Sequence, residues 1–328
     1  PFVYLTAMEA GYTPDTMVVD EAITIGDWTP RNYTGNFLGQ ITLEQAVAQS
    51  VNTVAARLAD DVGRSNVAGT ARRLGITSNI PQHPSMALGA VEVSPMEMAQ
   101  AYAPFSNGGY KIQAHGINRI RTQQGRVLYQ HRLRDAGPRS PIINNPPLFY
   151  MNRVMRSVMT SGTATAARVN GYDLAGKTGT TSDYKDAWFV GYTGGFVTAV
   201  WVGKDDNTPM RRVTGGGAPA AIWRSFMASA LPRLKVQAIP NGPPPPPGMT
   251  FGDPIGDLLG GLFGGEPALD PNAVDPNAPQ SDGPPPPDVT VEPGPIEEPG
   301  PGQPSAPGKT VTPPPPREKQ PTKEDLFF

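Results

Sequence analysis

The chain has 328 residues, enough for one large domain or two of ordinary size. Of its 40 prolines, 26 lie from Pro240 onward. The charges divide at the same residue: basic side chains outnumber acidic ones by 23 to 16 before it, and acidic ones outnumber basic ones by 13 to 4 from there on. An acidic, proline-rich segment cannot bury enough apolar surface to offset the entropy lost on ordering. We therefore expect a folded domain over residues 1–235 and a disordered tail over residues 236–328.

Composition also excludes several classes of function. No apolar run approaches the roughly 18 to 20 residues that span a bilayer, so the sequence predicts no membrane-spanning segment. The chain has no cysteine, which excludes a disulfide framework, a thiol nucleophile and cysteine metal ligands. The three histidines (His83, His115 and His131) do not have the spacing of metal ligands, so we expect no metal site. The small excess of positive charge before Pro240 is too weak to indicate nucleic-acid binding.

Cap and turn signals predict helices over much of the first half of the chain. Thr42, with Gln45 three residues later, has the pattern of a capping box. Ser94 and Glu97 repeat that pattern, strengthened by a proline at the first helical position. The stretch 15–39 is rich in turn-forming residues and is expected to form a surface loop. The predicted helices are residues 2–10, 42–62, 66–74 and 94–105.

The second half changes to a β-rich pattern. Residues 117–129 are predicted to form a hairpin and residues 147–160 a helix. Three extended runs follow, and Gly194-Gly195 between the last two predicts a hairpin. These runs are residues 174–181, 187–192 and 196–202. A final helix over residues 220–231 carries an apolar stripe that can pack on a sheet, formed by Ile222, Trp223, Phe226, Met227 and Ala230. Helices, an antiparallel sheet and a closing helix indicate an α/β protein of the α+β type.

Two short motifs carry candidate chemistry: Ser50-Val51-Asn52 and Lys177-Thr178-Gly179-Thr180. Each alone has an ordinary interpretation, as a helix cap or as a solvated strand end. In this order they suit acyl transfer. A lysine beside the reacting centre can bind a carboxylate and bias proton transfer. Thr178 and Thr180 alternate along a strand, so both hydroxyls face one side and can bind that carboxylate. Gly179 permits close approach of substrate, and a strand N–H near Thr180 can form half of an oxyanion hole.

Four dispersed blocks of sequence extend this pattern. They are PFVYLTAMEAGYTPDT at the start, SVNTVAARLADDVG from Ser50, ALGAVEVSPMEMAQAYAPFSNGG from Ala87, and GKTGTTSDYKDAWFVGYT around Lys177 with the following VWVGKDD. Over roughly residues 1–231 the chain resembles the transpeptidase domain of class A penicillin-binding proteins, the bifunctional peptidoglycan synthases. The resemblance implies the penicillin-binding-protein/β-lactamase-like fold, an antiparallel sheet flanked by helices, and a reaction that needs no cofactor.

The resemblance also implies roles for individual residues. Ser50 resembles the proton-relay serine and Asn52 the ligand of the substrate amide. Lys177 resembles the basic residue that supports Ser50. Thr178 and Thr180 resemble the carboxylate ligands, with the N–H of Thr180 in the oxyanion hole and Gly179 between them in the substrate-binding strand. The implied partners are peptidoglycan stem peptides ending in D-Ala-D-Ala and the β-lactams that mimic them.

The family nucleophile lies in an S-x-x-K motif that is followed directly by a sequence like that from Pro1. We therefore expect that the nucleophile precedes Pro1, together with the glycosyltransferase domain and membrane anchor of such proteins, and that this chain as written is inactive. One S-x-x-K does occur, from Ser182 to Lys185. It follows the Lys177 strand in a predicted turn, so its two side chains should not share a helix face, and we do not assign it a catalytic role.

The residues leave alternatives open. A D,D-carboxypeptidase or a β-lactamase would use a similar set, although no deacylating base can be assigned for the latter. A non-catalytic module could bind peptidoglycan peptides, or bind another envelope protein through the tail. A Ser-x-x-Lys immediately upstream of Pro1 would separate the enzyme from such a module. The leading interpretation is a peptidoglycan D,D-transpeptidase domain on the periplasmic side of the bacterial inner membrane.

Overall fold

The computed structural model describes residues 1–131 and 141–240, and the predicted tail beyond Pro240 lies outside the described residues. The helices are α1 Phe2–Glu9, α2 Leu43–Gln49, α3 Asn52–Asp61, α4 Arg64–Leu74, α5 Pro95–Asn107, α6 Pro147–Thr160 and α7 Ala218–Ala230. The strands are β1 Met17–Asp20, β2 Gly39–Thr42, β3 Arg119–Arg121, β4 Val127–Gln130, β5 Ala175–Thr180, β6 Asp186–Thr193 and β7 Phe196–Gly203. No helix in the described ranges is both long enough and apolar enough to cross a membrane.

The main sheet is antiparallel and has the order β5-β6-β7. Lys177 of β5 lies opposite Val190 of β6, and Thr193 lies opposite Phe196 across the β6–β7 turn. Gly195 has a φ of 78°, the left-handed conformation that a tight hairpin turn requires. The predicted β6–β7 hairpin is therefore confirmed.

Helices cover both faces of this sheet. On one face Phe189 packs edge-on against Trp223 of α7, with ring centroids 5.1 Å apart. On the other face Tyr192 stacks on Phe105 of α5 and donates a hydrogen bond of 2.7 Å to the side-chain oxygen of Asn152 in α6. Phe189 and Tyr192 are three residues apart on one strand, so they point to opposite faces. This arrangement confirms the predicted α+β class with helices flanking an antiparallel sheet.

The helix starts that were predicted from capping boxes are confirmed at both places. The Thr42 hydroxyl accepts from the Gln45 N–H at 3.2 Å while the Gln45 side chain accepts from the Thr42 N–H, and Ser94 and Glu97 repeat the exchange. The helical segment predicted over residues 42–62, with the Ser50 motif inside it or at a break, is divided at Ser50 into α2 and α3.

The stretch predicted as a surface loop over residues 15–39 is bounded by strands. β1 and β2 pair antiparallel, with Asp20 opposite Gly39, and the loop 21–38 runs between them. The prediction missed these strands because each has only four residues and neither has a regular alternation of buried and exposed positions.

The apolar stripe predicted on α7 is only half buried. Trp223 and Met227 are fully buried, whereas Ile222 is 50% exposed and Phe226 is 48% exposed. After α7 the chain still packs on the domain: Gln237 bridges to Gly194 of the β6–β7 turn, and Ile239 is buried. The packed part therefore continues at least to Pro240, past the boundary predicted at residue 235.

Candidate active site

Ser50 lies at the junction of α2 and α3 in a left-handed conformation, with φ 55° and ψ 50°. A non-glycine residue adopts this conformation only where its surroundings maintain it. The Ser50 N–H donates to the carbonyl of Val47 at 3.2 Å, and the N–H of Val51 donates to that of Ala46 at 2.9 Å, which closes the end of α2. The side chain of Ser50 is thereby directed away from the helix axis and toward β5.

Lys177 meets Ser50 from the sheet. Its ammonium group donates to Ser50 Oγ at 2.7 Å and to the carbonyl of Thr178 at 3.2 Å, and only 8% of the residue is exposed. Burial lowers the pKa of Lys177 from its ordinary value to about 8, because the charged form is poorly solvated there. An amine with this pKa can hold or release a proton near neutral pH. The two motifs predicted to meet, 127 residues apart in the chain, thus share a hydrogen bond.

Asn52 is the first residue of α3, two positions after Ser50, and its side chain is bound to the loop 21–38. Its Nδ2 donates to the carbonyl of Arg31 at 2.7 Å, and its backbone N–H donates to Oδ1 of Asn32 at 3.0 Å. Asn52 therefore lies beside the Ser50–Lys177 pair but is oriented by a different segment of the chain.

Thr178 and Thr180 lie on one side of β5, as their alternation predicted, and Gly179 lies between them. The Thr178 hydroxyl shares a hydrogen bond of 2.7 Å with that of Thr163, and the Thr180 hydroxyl accepts from the N–H of Gly215 at 3.0 Å. Exposure increases along this strand from the buried Lys177 to the exposed Thr180. The strand thus begins in the core and ends at the surface, with its hydroxyls at the accessible end.

The loop after α6 connects the two halves of this arrangement. The N–H of Thr163 donates to the carbonyl of Ala48 at the end of α2, at 3.1 Å, while its hydroxyl contacts Thr178. Gly162 packs so closely on the backbone of Ala48 that a Cβ would clash there. This close approach sets the distance between the Ser50 turn and β5, and therefore the Ser50–Lys177 contact.

The first helix also begins near the site. The nitrogen of Pro1 is buried and lies near Lys177. The carbonyl of Pro1 accepts from the N–H of Leu5 at 2.8 Å, the four-residue spacing of an α-helical hydrogen bond. The N-terminal end of α1 therefore lies near Lys177 and the candidate site.

The S-x-x-K from Ser182 to Lys185 lies in the turn between β5 and β6, as predicted. The Thr181 hydroxyl accepts from the N–H groups of Lys185 and Asp186, each at 2.9 Å, and Tyr184 has a φ of 57°. These residues are not on a helix, so the serine and lysine do not share a helix face.

Sequence reasoning missed two further features of the site. Asp20 is buried and binds the loop 21–38, and the Tyr33 hydroxyl lies 3.3 Å from the Tyr184 hydroxyl of the β5–β6 turn. The one available signal for Asp20 was an acidic residue directly after two valines, which is common at strand ends. Within residues 1–131 and 141–240, no three His, Asp or Glu side chains come together as metal ligands would.

Comparisons with known proteins agree with this geometry. Residues 1–228 match the family described as the penicillin binding protein transpeptidase domain. Penicillin-binding protein 1A of Neisseria meningitidis serogroup A is 40% identical over 242 residues, which cover 70% of this chain and 30% of that protein. Penicillin-binding protein 1A of Pseudomonas aeruginosa is 32% identical over 286 residues, covering 70% and 35%. The chain thus spans about a third of the length of these curated relatives.

A solved structure shows the same likeness in three dimensions. PonA1 from Mycobacterium tuberculosis, in complex with penicillin V, superposes with a TM-score of 0.64 at 26% identity. The match covers 74% of this chain and 73% of that one.

Proposed function

Since the chain belongs to the penicillin-binding protein transpeptidase family, we propose that it forms most of the acyl-transfer site of a peptidoglycan D,D-transpeptidase. The observation that carries this proposal is the contact between Lys177 Nζ and Ser50 Oγ. It brings together two motifs that are distant in sequence, inside a fold that offers a buried base next to a hydroxyl.

The reaction is a double displacement through a serine ester. A serine hydroxyl attacks the carbonyl carbon of the penultimate D-Ala in a stem peptide. The peptide bond breaks, and the terminal D-Ala leaves as an amine that takes up a proton. An amine of a second stem peptide then attacks the ester, forms the cross-linking amide and returns the serine to its hydroxyl form. A β-lactam enters at the first step and remains as the ester.

Ser50 and Lys177 supply the proton transfers in this scheme. Ser50 Oγ accepts a hydrogen bond from Lys177, so its own proton is directed away from the lysine and is available to the leaving amine. Burial holds the pKa of Lys177 near 8, which makes a proton easier to exchange with its neighbours than it would be for a solvated lysine. Both groups are held by backbone elements, so little reorganisation is needed during reaction.

The remaining residues bind the substrate on either side of the reacting carbonyl. The hydroxyls of Thr178 and Thr180 face the accessible end of β5 and are suited to the terminal carboxylate. Asn52, held by the Arg31 carbonyl, is suited to the substrate amide. The N–H of Thr180 would donate to the oxyanion, and Gly179 allows the substrate backbone to lie along the strand.

The attacking serine is proposed to precede Pro1, in a Ser-x-x-Lys on the turn before α1. The position of Pro1 supports this, because its nitrogen is buried near Lys177. A residue one turn earlier in a helix would lie about 5 Å further along the same axis, within reach of the site. The same parent protein would carry the membrane anchor and act on the periplasmic side of the inner membrane.

Intact-mass spectrometry after incubation with benzylpenicillin tests the proposal. The longer protein that includes the upstream Ser-x-x-Lys should gain the mass of one penicillin, whereas residues 1–328 alone should gain none. Lys177→Ala in the longer protein should slow adduct formation at least tenfold, and Lys185→Ala serves as the control because it lies in the β5–β6 turn. A longer protein that remains unlabelled would contradict the proposed function and favour a binding module.

A further inference from the structure

The carboxylate of Asp20, the last residue of β1, is buried beneath the loop 21–38. Only 1% of the residue is exposed. Its two oxygens accept from Nδ2 of Asn32 at 2.8 and 3.0 Å, from the N–H of Leu38 at 2.8 Å and from the hydroxyl of Thr53. Burying a carboxylate is unfavourable unless it is well hydrogen-bonded, and these four donated hydrogen bonds offset that cost.

Asn32, which Asp20 holds, is hydrogen-bonded in turn to the first turn of α3. Its Oδ1 accepts from the N–H of Asn52 at 3.0 Å and from the N–H of Thr53 at 3.4 Å. These are N–H groups of the first helical turn, which need partners from outside the helix. The helix's own N-cap residue, Val51, has no side-chain acceptor. A side chain from 20 residues earlier therefore caps the helix that begins with Asn52.

The same loop holds the side chain of Asn52. The carbonyl of Arg31, the residue next to Asn32, accepts from Asn52 Nδ2 at 2.7 Å. Asp20 fixes the Asn32 amide with two hydrogen bonds, Asn32 fixes the backbone of Asn52, and Arg31 fixes its side-chain amide. The orientation of Asn52 thus depends, through Asn32 and Arg31 of the loop 21–38, on the buried side chain of Asp20.

We propose that Asp20 and Asn32 are positioning residues, which orient the Asn52 amide for the substrate through the loop 21–38. This proposal rests on the proposed function, because it is there that Asn52 is assigned to the substrate amide. The competing interpretation is that the two residues only stabilise the loop and α3.

Two single variants of the longer protein perturb the contact without removing bulk. Asp20→Asn places an NH₂ group among donors, and Asn32→Asp places two carboxylates against each other. Each should lower the rate of acylation by benzylpenicillin at least tenfold. The combined Asp20→Asn/Asn32→Asp variant should recover part of this loss; the rest persists because the Asn32 amide also donates to the carbonyl of Asn36 at 3.0 Å, which a carboxylate cannot do. The amide introduced at position 20 can donate to the carboxylate introduced at position 32, which still accepts from the N–H groups of Asn52 and Thr53.

A double-mutant cycle with Asn52→Ala separates positioning from stability. If Asp20 and Asn32 act through the Asn52 amide, Asn32→Asp should lower the acylation rate less than about twofold in the Asn52→Ala background. If they only support the fold, the losses should multiply. Asp173→Asn is the control: it removes a carboxylate whose hydrogen bonds come from Arg156 and the N–H of Ile239 and not from the loop 21–38 or α3, and it should lower stability but leave the acylation rate unchanged.

Each outcome bears on one proposal. Near-ultraviolet circular dichroism first establishes that each variant is folded at the assay temperature. If Asp20→Asn is unfolded, Asn32→Ala replaces it in the test, because it removes the side chain that caps α3 without adding a charge. Unchanged rates in the single variants, or multiplicative losses in the cycle, would overturn the positioning role while leaving the proposed function intact. A parent protein that is not acylated at all would instead contradict the proposed function.

Discussion

Replacing Lys177 by methionine should remove activity while leaving the fold nearly as stable. The Lys177 residue is 8% exposed, and burial lowers the pKa of its amine from 10.5 to about 8. Below pH 8, burying the charged amine therefore makes folding less favourable by about 3 kcal/mol. Methionine is uncharged, so the variant does not have this cost of burial. It also loses the hydrogen bonds to Ser50 and Thr178, worth about 1 kcal/mol each, so the effects largely offset at pH 7.

The sign of the pH dependence follows from the same lowering. The folded protein releases the Lys177 proton at a lower pH than the unfolded chain does, so the unfolded chain binds more protons between pH 8 and about 10.5. The free energy of unfolding of the parent should therefore rise through this window by about 3 kcal/mol relative to Lys177→Met, with about 2 kcal/mol of that rise reached by pH 9.5. The rate of acylation of the longer protein should fall by about 100- to 1,000-fold in the variant.

Urea unfolding of parent and variant at pH 7 and pH 9.5 measures the stability difference, and benzylpenicillin labelling measures the rate. Taking the difference between the two proteins cancels the titration of other groups, such as the buried tyrosines. Two results would contradict the burial penalty assigned to the Lys177 amine. One is an unfolding free energy that changes in parallel for both proteins across this range. The other is a variant that is much less stable than the parent at pH 7.

Two further predictions concern the fold. Burial raises the pKa of Asp173, but the hydrogen bonds from Arg156 and from the Ile239 N–H outweigh it and hold the pKa below its usual value. The stabilisation that the Asp173 carboxylate provides is present above about pH 4 and is lost as the pH falls further. Asp173→Asn should therefore lower the free energy of unfolding by about 1 to 3 kcal/mol at pH 7 and by less at pH 3. Urea titrations at the two pH values measure this difference. Trp223→Ala should lower the free energy of unfolding by about 3 to 5 kcal/mol because the side chain is fully buried against Phe189. The matched Ile222→Ala, on the exposed side of α7, should change the melting temperature little. Equal shifts in melting temperature for the two variants would contradict the described packing.

Local signals predicted the parts of the fold that depend on neighbours in sequence. The starts of α2 and α5 follow from Thr42 with Gln45 and from Ser94 with Glu97, because a capping box needs only residues three apart. The β6–β7 hairpin follows from the glycines of its turn. The pairing of Ser50 with Lys177 could be proposed only because both motifs matched a family pattern, since nothing local indicates a contact across 127 residues.

The features that sequence reasoning missed depend on distant partners. The left-handed conformation of Ser50 is unusual for a serine and is maintained by contacts at the end of α2 and with Lys177. The burial of Asp20 depends on donors from Asn32, Leu38 and Thr53, which lie 12 to 33 residues away. Local propensity contains no information on such contacts.

The position of the penicillin ester in the labelled protein distinguishes an upstream nucleophile from Ser50. After labelling of the longer protein with benzylpenicillin, proteolysis and tandem mass spectrometry identify the serine that carries it. The account predicts an ester on the serine of a Ser-x-x-Lys immediately before Pro1, with Ser50 unmodified. An ester on Ser50, or on Ser182 in the β5–β6 turn, would contradict the assignment of Ser50 and Lys177 as the proton-transfer pair beside an upstream nucleophile.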